Sequence, residues 1–227
     1  LRFKLSDPDD HALEQALILK EKHGGKVTVV ALDAPEVDDV LFTALAKGAD
    51  RAVKIPINQA SLGTTASAKV LADFFAGAGP LTPDTLLLPG SQAIDDLEGE
   101  VAPLLAAALK LPYIGVVCGV EPADGQATVL KEFAGGLRGE FGVTLPAVLG
   151  IQSAEKPPRY VPVAKVRAVM KSAKIEEAAL PPPERPIRLD IERMYKPEAA
   201  GRAQMFEGPL EEVADKLVDV LARNSVI

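Results

Sequence analysis

The sequence predicts an α/β protein: a three-layer, doubly wound, mostly parallel sheet of the adenine-nucleotide-binding, Rossmann-like type, with antiparallel strands and a C-terminal arm plus helix. Three observations predict it. Short apolar runs ("KVTVVAL", "RAVKIPI", "TLLLP", "YIGVVCGV") alternate with helical segments up to residue 123, the grammar of a parallel sheet covered on both faces. From Asp124 the text turns to alternating, glycine-bearing stretches without helical period, which read as antiparallel strands. A proline-rich stretch at residues 180–186 then precedes one strongly amphipathic segment.

The first helix is marked at both ends in "SDPDDHALEQALILKEKHGG". Ser6 or Asp7 caps it, Pro8 suits the first turn, acids follow, and Gly24 and Gly25 end it. Ala12, Leu13, Ala16, Leu17 and Leu19 form its apolar side, and "KVTVVAL" is then a buried strand. "EVDDVLFTALAKGAD" is the second helix, with Val37, Val40, Leu41, Ala44 and Leu45 inward. "RAVKIPI" follows as a strand, residues 66–76 as the third helix, "TLLLP" as a strand, residues 99–110 as the fourth helix and "YIGVVCGV" as a strand. "QATVLKEFAGGLRGEFGVTLPAVLGIQ" is expected to supply antiparallel strands, "AEKPPRYVPV" a proline-rich turn and "KVRAVMKSAK" a short basic helix. "LPPPERP" is an extended tether. In "GPLEEVADKLVDVLARN", Leu210, Val213, Leu217, Val220 and Leu221 make one stripe that needs a surface to bury it. The expected division is residues 1–179 as the nucleotide-binding domain and residues 180–227 as arm and helix packing on a partner. The chain opens with "LRFKL", short and half charged, where a sheet of this class normally has an apolar central strand, so either the domain begins unusually or a first strand is missing from this chain.

Composition excludes several functions. At 227 residues with 48% hydrophobic residues, the chain can bury a core and should be a soluble globular protein. A net charge of -7 without basic clusters disfavours nucleic acid. The single Cys118 lies in an apolar run, which points to a small core residue and a reducing setting, cytoplasmic or matrix-like. With two histidines and one cysteine, a transition-metal site of those ligands is not expected. His23, at a helix C-terminus, reads as a solvated cap. No apolar stretch reaches membrane-spanning length, and no leader is recognisable.

The junction "GSQAIDDLEGEVAP", residues 90–103, is where an open α/β sheet gathers ligands, between strand and helix. It carries Asp95, Asp96, Glu98 and Glu100, an unexpected charge for a phosphate site. For Asp95 and Asp96 the bland explanation is helix capping. Gly135 and Gly136 can simply form a tight turn, and Lys131 with Glu132 can be a solvated pair on an edge strand.

In order and spacing, "DPDDHALEQALILKEKHGGKVTVVAL", "ALAKGADRAVKI", "GSQAIDDLEGEVAPLLAAALKLPYIG", "KEFAGGL", "LPAVLGI" and "PPRY" resemble the β subunit of electron transfer flavoproteins. The resemblance spans residues 5–174 and, more weakly, the last helix. It implies a heterodimeric electron carrier whose α subunit holds most of one FAD, while the β subunit binds AMP, or a second FAD in electron-bifurcating members. It implies electrons taken from flavin dehydrogenases, such as the acyl-CoA dehydrogenases of fatty acid oxidation, and passed to a membrane quinone reductase, in the bacterial cytoplasm or the mitochondrial matrix. The β subunit contributes no catalytic residue. By position the resemblance implies a nucleotide site of Ser6, Asp7, Pro8, Asp9, Leu32, Gly90, Ser91, Gln92, Ala93, Ile94, Asp95, Asp96, Leu97, Glu98, Gly99, Glu100 and Val101, with backbone amides wrapping the phosphate and acids turned to cap or to ribose. It implies that Lys131 and Glu132 lie near the flavin. A docking loop is implied at residues 159–170, with Val163 or Val166 as apolar anchor.

The family usually has Lys at Ser91, Asp at Leu97 and an acid at Ala134, so one basic and one acidic nucleotide contact are lost. The stretch after "PPRY" is also longer than typical. Two other classes stay open from the residues. One is a stand-alone adenine-nucleotide-binding module of the stress-protein or ATP-pyrophosphatase kind, whose glycine-rich phosphate loop is not visible here. The other is a nucleotide-free scaffold subunit, motivated by Ser91 and Leu97.

Overall fold

The first helix forms where its caps dictate. The side chain of Ser6 accepts the amide of Asp9 and donates to the Asp9 carboxylate at 2.5 Å, Pro8 fits the first turn, and the Gly24 amide closes the last turn on Lys20. This helix, α1, runs Asp7–His23. The computed structural model describes residues 4–77, 79, 81–94, 96, 98–181, 195–196, 201, 203 and 205–226. The chain forms two compact units, Leu1–Leu189 and Asp190–Ile227.

In the first unit the order continues as β1 (Thr28–Asp33), α2 (Val37–Lys47), β2 (Arg51–Asn58), a 3-10 turn (Gln59–Ser61), α3 (Thr64–Gly77), β3 (Leu86–Leu87), α4 (Val101–Leu109) and β4 (Tyr113–Ala123). Then come β5 (Gln126–Glu132), β6 (Arg138–Thr144), β7 (Ala147–Ile151), α5 (Val163–Ser172) and β8 (Glu176–Glu177). The α/β class and the strand–helix alternation hold. The strands form two sheets: an all-parallel one ordered β1-β2-β8 and a mixed one ordered β3-β7-β4-β5-β6, in which only the β4-β5 and β5-β6 pairs are antiparallel.

Two expectations need correction. "AVLGI" was expected among the antiparallel strands, yet β7 lies between β3 and β4, parallel to both. Its five residues are all buried, and a continuous apolar run without alternation marks a strand covered on both faces. "KVTVVAL" was expected to be buried, yet Val29, Val30 and Ala31 are half-buried. Among the described residues β1 pairs only with β2, and a strand with one open edge leaves part of its apolar surface uncovered.

Two helices join the sheets. Ala12 and Leu19 of α1 pack with Val117, Val129 and Leu149 of the mixed sheet, while Leu13 and Leu17 pack with Val27 and Ala44 beside the parallel sheet. On α3, Ala72 packs with Leu87 and Val148, and Val70 with Leu32 and Ile55. Polar ties complete the frame: Asp50 accepts the Val27 amide at 2.8 Å and the Lys20 ammonium at 2.6 Å, and nearly buried Lys47 pairs with Asp10. Cys118 is a buried free thiol that donates to the Leu130 carbonyl, and burial pushes its titration up. His23 is exposed at the end of α1, as expected, with its ring 3.1 Å from Glu121. No described helix is long and apolar enough to cross a membrane.

The second unit contains α6, Leu210–Arg223. Val213, Val220 and Leu221 are half-buried, whereas Leu210 and Leu217 are exposed. Most of the tether, residues 182–186, lies outside the described residues.

Leu149, at 0% exposure in β7, belongs to the cluster that α1 closes. Leu149→Ala is expected to destabilise the protein by about 2–5 kcal/mol, seen as a lower urea midpoint with an unchanged slope.

Candidate functional site

The loop after β3 is held at the C-terminal edge of the parallel strands, the ligand-binding edge of an open α/β sheet. Gly90 bridges to Ile151 at the end of β7, and the Ser91 amide donates to the Ile151 carbonyl at 2.8 Å. The Ser91 hydroxyl hydrogen-bonds Gln152 at 2.6 Å. The start of α1 arrives at the same place: the Gly90 amide donates to the Asp9 carboxylate at 2.9 Å.

Two glycines make this closure possible. A side-chain carbon on Gly90 would lie 2.8 Å from the Asp9 amide and 2.9 Å from the Pro8 carbonyl carbon. At Gly99, with φ +69°, it would lie 2.6 Å from the Ser91 carbonyl oxygen. Neither approach tolerates a larger residue, because both obstacles are backbone.

The carboxylates within this loop have defined tasks. Asp96 is buried and accepts the Glu100 amide at 3.1 Å and the Val101 amide at 3.2 Å, capping α4 from ahead of it. The Asp96 amide in turn donates to the Ala93 carbonyl. Asp9 takes the Gly90 amide and the Ser6 hydroxyl. Asp7 turns outward to Lys4, Glu98 is exposed, and Ile94 stands at the loop tip with 93% exposure. Asp95 and Leu97 lie outside the described residues. Of the residues singled out from the sequence, Ser6, Pro8, Asp9, Gly90, Ser91, Gln92, Asp96, Gly99, Glu100 and Val101 therefore form one cluster. Leu32 contributes backbone at most, since its side chain is buried with Ile55 and Val70.

Lys131 stands three strands away on the same edge. Gln152 donates its amide to Val117, and Val117 is paired with Lys131. Val116 takes a left-handed φ of 60°, so the β4 register slips between Gly115 and Val117. The Gly115 carbonyl accepts the Lys131 ammonium at 2.9 Å, and that ammonium also lies 5.5 Å from the Phe133 ring centre. Exposed Phe133, Leu137 and Phe141 continue the ledge, while Glu132 pairs across the hairpin with Arg138.

The third region is the chain after β7. The Arg159 guanidinium grips Glu14 through Nε and Nη2 at 2.8–3.0 Å, its own amide donates to Glu14 at 2.9 Å, and Nη1 reaches Glu21 at 2.6 Å. Burial pushes the Glu14 carboxyl up, but the hydrogen bonds and charge of Arg159 outweigh it and hold Glu14 below its ordinary 4.5. Beyond this clamp Val163 is 62% exposed, while Val166 is half-buried on a helix that packs on α2. The Glu14–Arg159 clamp and the Ser91–Gln152 pair join residues 145 and 61 positions apart, and nothing local in the sequence announces them. Among the described residues no cluster of potential metal ligands occurs.

The electron transfer flavoprotein domain matches residues 1–183 of this sequence. The chain belongs to the electron transfer flavoprotein family. Its similarity to electron transfer flavoprotein subunit beta of Methylophilus methylotrophus is 31% identity, over 97% of this chain and 86% of that one. The Syntrophomonas wolfei beta subunit is 35% identical over 77% of this chain and 72% of its own. Subunit CarD of the caffeyl-CoA reductase-Etf complex of Acetobacterium woodii is 28% identical over 97% and 87%. Electron transfer flavoprotein subunits are electron carriers.

Two outcomes are expected. Asp96→Ala removes the acceptor for two amides at the start of α4 and should cost about 1–2 kcal/mol, with faster amide exchange at Glu100 and Val101. The carboxyls of Glu14, Asp50 and Glu155 are all held low, by Arg159, Lys20 and Lys22 respectively against opposing burial. A lowered carboxylate stabilises the fold above its unfolded value and loses that effect as pH falls through its folded value. The melting temperature should hold steady from pH 7 to about 5 and decline below about pH 4, whereas a decline already between pH 7 and 6 contradicts this.

Proposed function

We propose that this chain works as the β subunit of a heterodimeric, FAD-containing electron carrier, bound to an α subunit. Membership of the electron transfer flavoprotein family across residues 1–183 carries the reading. Electrons would come from flavin dehydrogenases such as acyl-CoA dehydrogenases and pass to a quinone reductase, in the cytoplasm of a bacterium or in the mitochondrial matrix.

The cluster around Gly90 and Gly99 suits a nucleotide held by backbone rather than by cations. Its two turned-in acids, Asp9 and Asp96, already have backbone amides as partners, so they need not face a phosphate. With Ser91 where a lysine is usual, phosphate contact falls to loop amides and hydroxyls. This donor set fits AMP, or the adenosine part of a second FAD. On the far side, Lys131 is held by Gly115 and Phe133, so its charge is fixed in place beside an aromatic ledge. That ledge fits one side of a flat ring system presented by the α subunit. FAD, when bound, supplies the one- and two-electron chemistry; Lys131 and Glu132 would set the local field and exclude water from one side. Residues 159–170 would dock the dehydrogenase, with Val163 the better anchor because it is exposed whereas Val166 is half-buried. The unit Asp190–Ile227 would serve as the arm and helix that grip the α subunit, since Leu210 and Leu217 offer apolar surface.

Heating the purified complex and identifying the released nucleotides by chromatography tests this. One FAD plus AMP supports the housekeeping form, two FAD the bifurcating form, and no nucleotide beyond a single FAD favours a scaffold role for this chain. A protein that retains adenine nucleotide yet forms no complex with any α subunit is instead a stand-alone nucleotide-binding module. Removing residues 190–227 should weaken α-subunit affinity at least about tenfold through loss of a buried apolar stripe, leaving the first unit folded by circular dichroism.

A further inference from the structure

Residues 154–159 run along the polar side of α1 and are bound to it through Ala154, Glu155 and Arg159. His11 accepts the Ala154 amide at 3.2 Å, Gln15 accepts the Glu155 amide at 3.1 Å and donates back to Glu155, and Lys22 reaches Glu155 at 2.8 Å. Arg159 finishes the seam with its forked grip on Glu14 and its bond to Glu21. Glu14 is only 3% exposed in the middle of a helix, and a carboxylate there is stable only while its cation stays in place.

Immediately beyond the clamp the chain changes character. Tyr160 is 84% exposed, Val163 and Met170 are exposed, and Lys165, Arg167 and Lys171 stand on α5. Residues 156–174 carry six basic side chains and no acid, a local exception to the expected absence of basic clusters in a chain of net charge -7. An apolar anchor on a segment that carries only cations is complementary to an acidic surface with an apolar socket.

We propose that Arg159, gripping Glu14 and Glu21, is a positioning residue that fixes the direction in which Tyr160, Val163 and the basic helix α5 are presented to an acidic docking surface on a flavin dehydrogenase. The proposal rests on the docking role assigned above to residues 159–170. Its physical content is preorganisation. A segment already ordered on α1 loses little freedom when the partner binds, whereas a loosened one must be ordered at the expense of affinity. Only a planar guanidinium can serve both carboxylates while its backbone amide serves one of them; a lysine in its place supplies the charge without the fork.

The test uses the full-length chain in complex with its α subunit and three variants: Arg159→Lys, the double variant Glu14→Gln/Arg159→Met, which leaves no orphaned buried charge, and Lys69→Met on α3 as a surface-charge control. Amide exchange and the Kd for a purified acyl-CoA dehydrogenase are measured on each. In both Arg159 variants, exchange over residues 153–172 should quicken about tenfold while residues 147–151 stay protected. The Kd should rise about tenfold even for Arg159→Lys, whose net charge is unchanged, and Lys69→Met should behave as wild type. Unchanged exchange overturns the clamp, and faster exchange with an unchanged Kd overturns its positioning role. A wild-type complex that does not bind the dehydrogenase at all overturns the docking reading, and the clamp's role falls with it.

Discussion

Helix α1 has to satisfy two sheets and one loop at once. Its apolar residues divide between the mixed sheet, through Ala12 and Leu19, and the parallel sheet, through Leu13 and Leu17. Its remaining side, His11, Glu14, Gln15, Glu21 and Lys22, is occupied by residues 154–159. A helix with so many obligations on its circumference cannot rotate or slide without breaking either buried apolar packing or a buried ion pair, so it acts as the fixed axis of the first unit. Its N-terminus, where Asp9 meets Gly90, inherits that rigidity.

The acidic loop becomes intelligible on this frame. A loop with several carboxylates looks electrostatically wrong for a nucleotide if every carboxylate faces the ligand. Asp96 and Asp9 face backbone amides instead, where a carboxylate stabilises the loop and the start of α4 through charge-assisted hydrogen bonds. The loop's shape is thus held by the same acids that would otherwise repel a phosphate. Gly90 and Gly99 are the counterpart, since close backbone approach is what lets those acids reach their amides.

The β4 bulge applies similar logic on the other side of the mixed sheet. A β-branched residue at φ 60° is costly, and the strain is confined to Val116, where the ladder slips. The slip places the Gly115 carbonyl where Lys131 can bind it. A cation so held is a fixed charge rather than a mobile one, the property on which the flavin-side role proposed for Lys131 rests.

Local chemistry was sufficient to read the helices and most strands from the sequence: the Ser6 and Pro8 start of α1, the Gly24 stop, the apolar spacing of α2 and the period of α6 are all interactions among residues a few positions apart. The loop at residues 90–101 was legible as well, because strand, glycine and helix follow one another directly. Tertiary structure alone decided the placement of "AVLGI" as a parallel strand, the division into two sheets with β1 paired, among the described residues, only to β2, the addition of β8 to β2, and the Glu14–Arg159 clamp. Each of these joins segments far apart in the chain or depends on which neighbour covers a face, and strand order and long-range ion pairs are set by how elements pack, for which neighbouring residues hold no record.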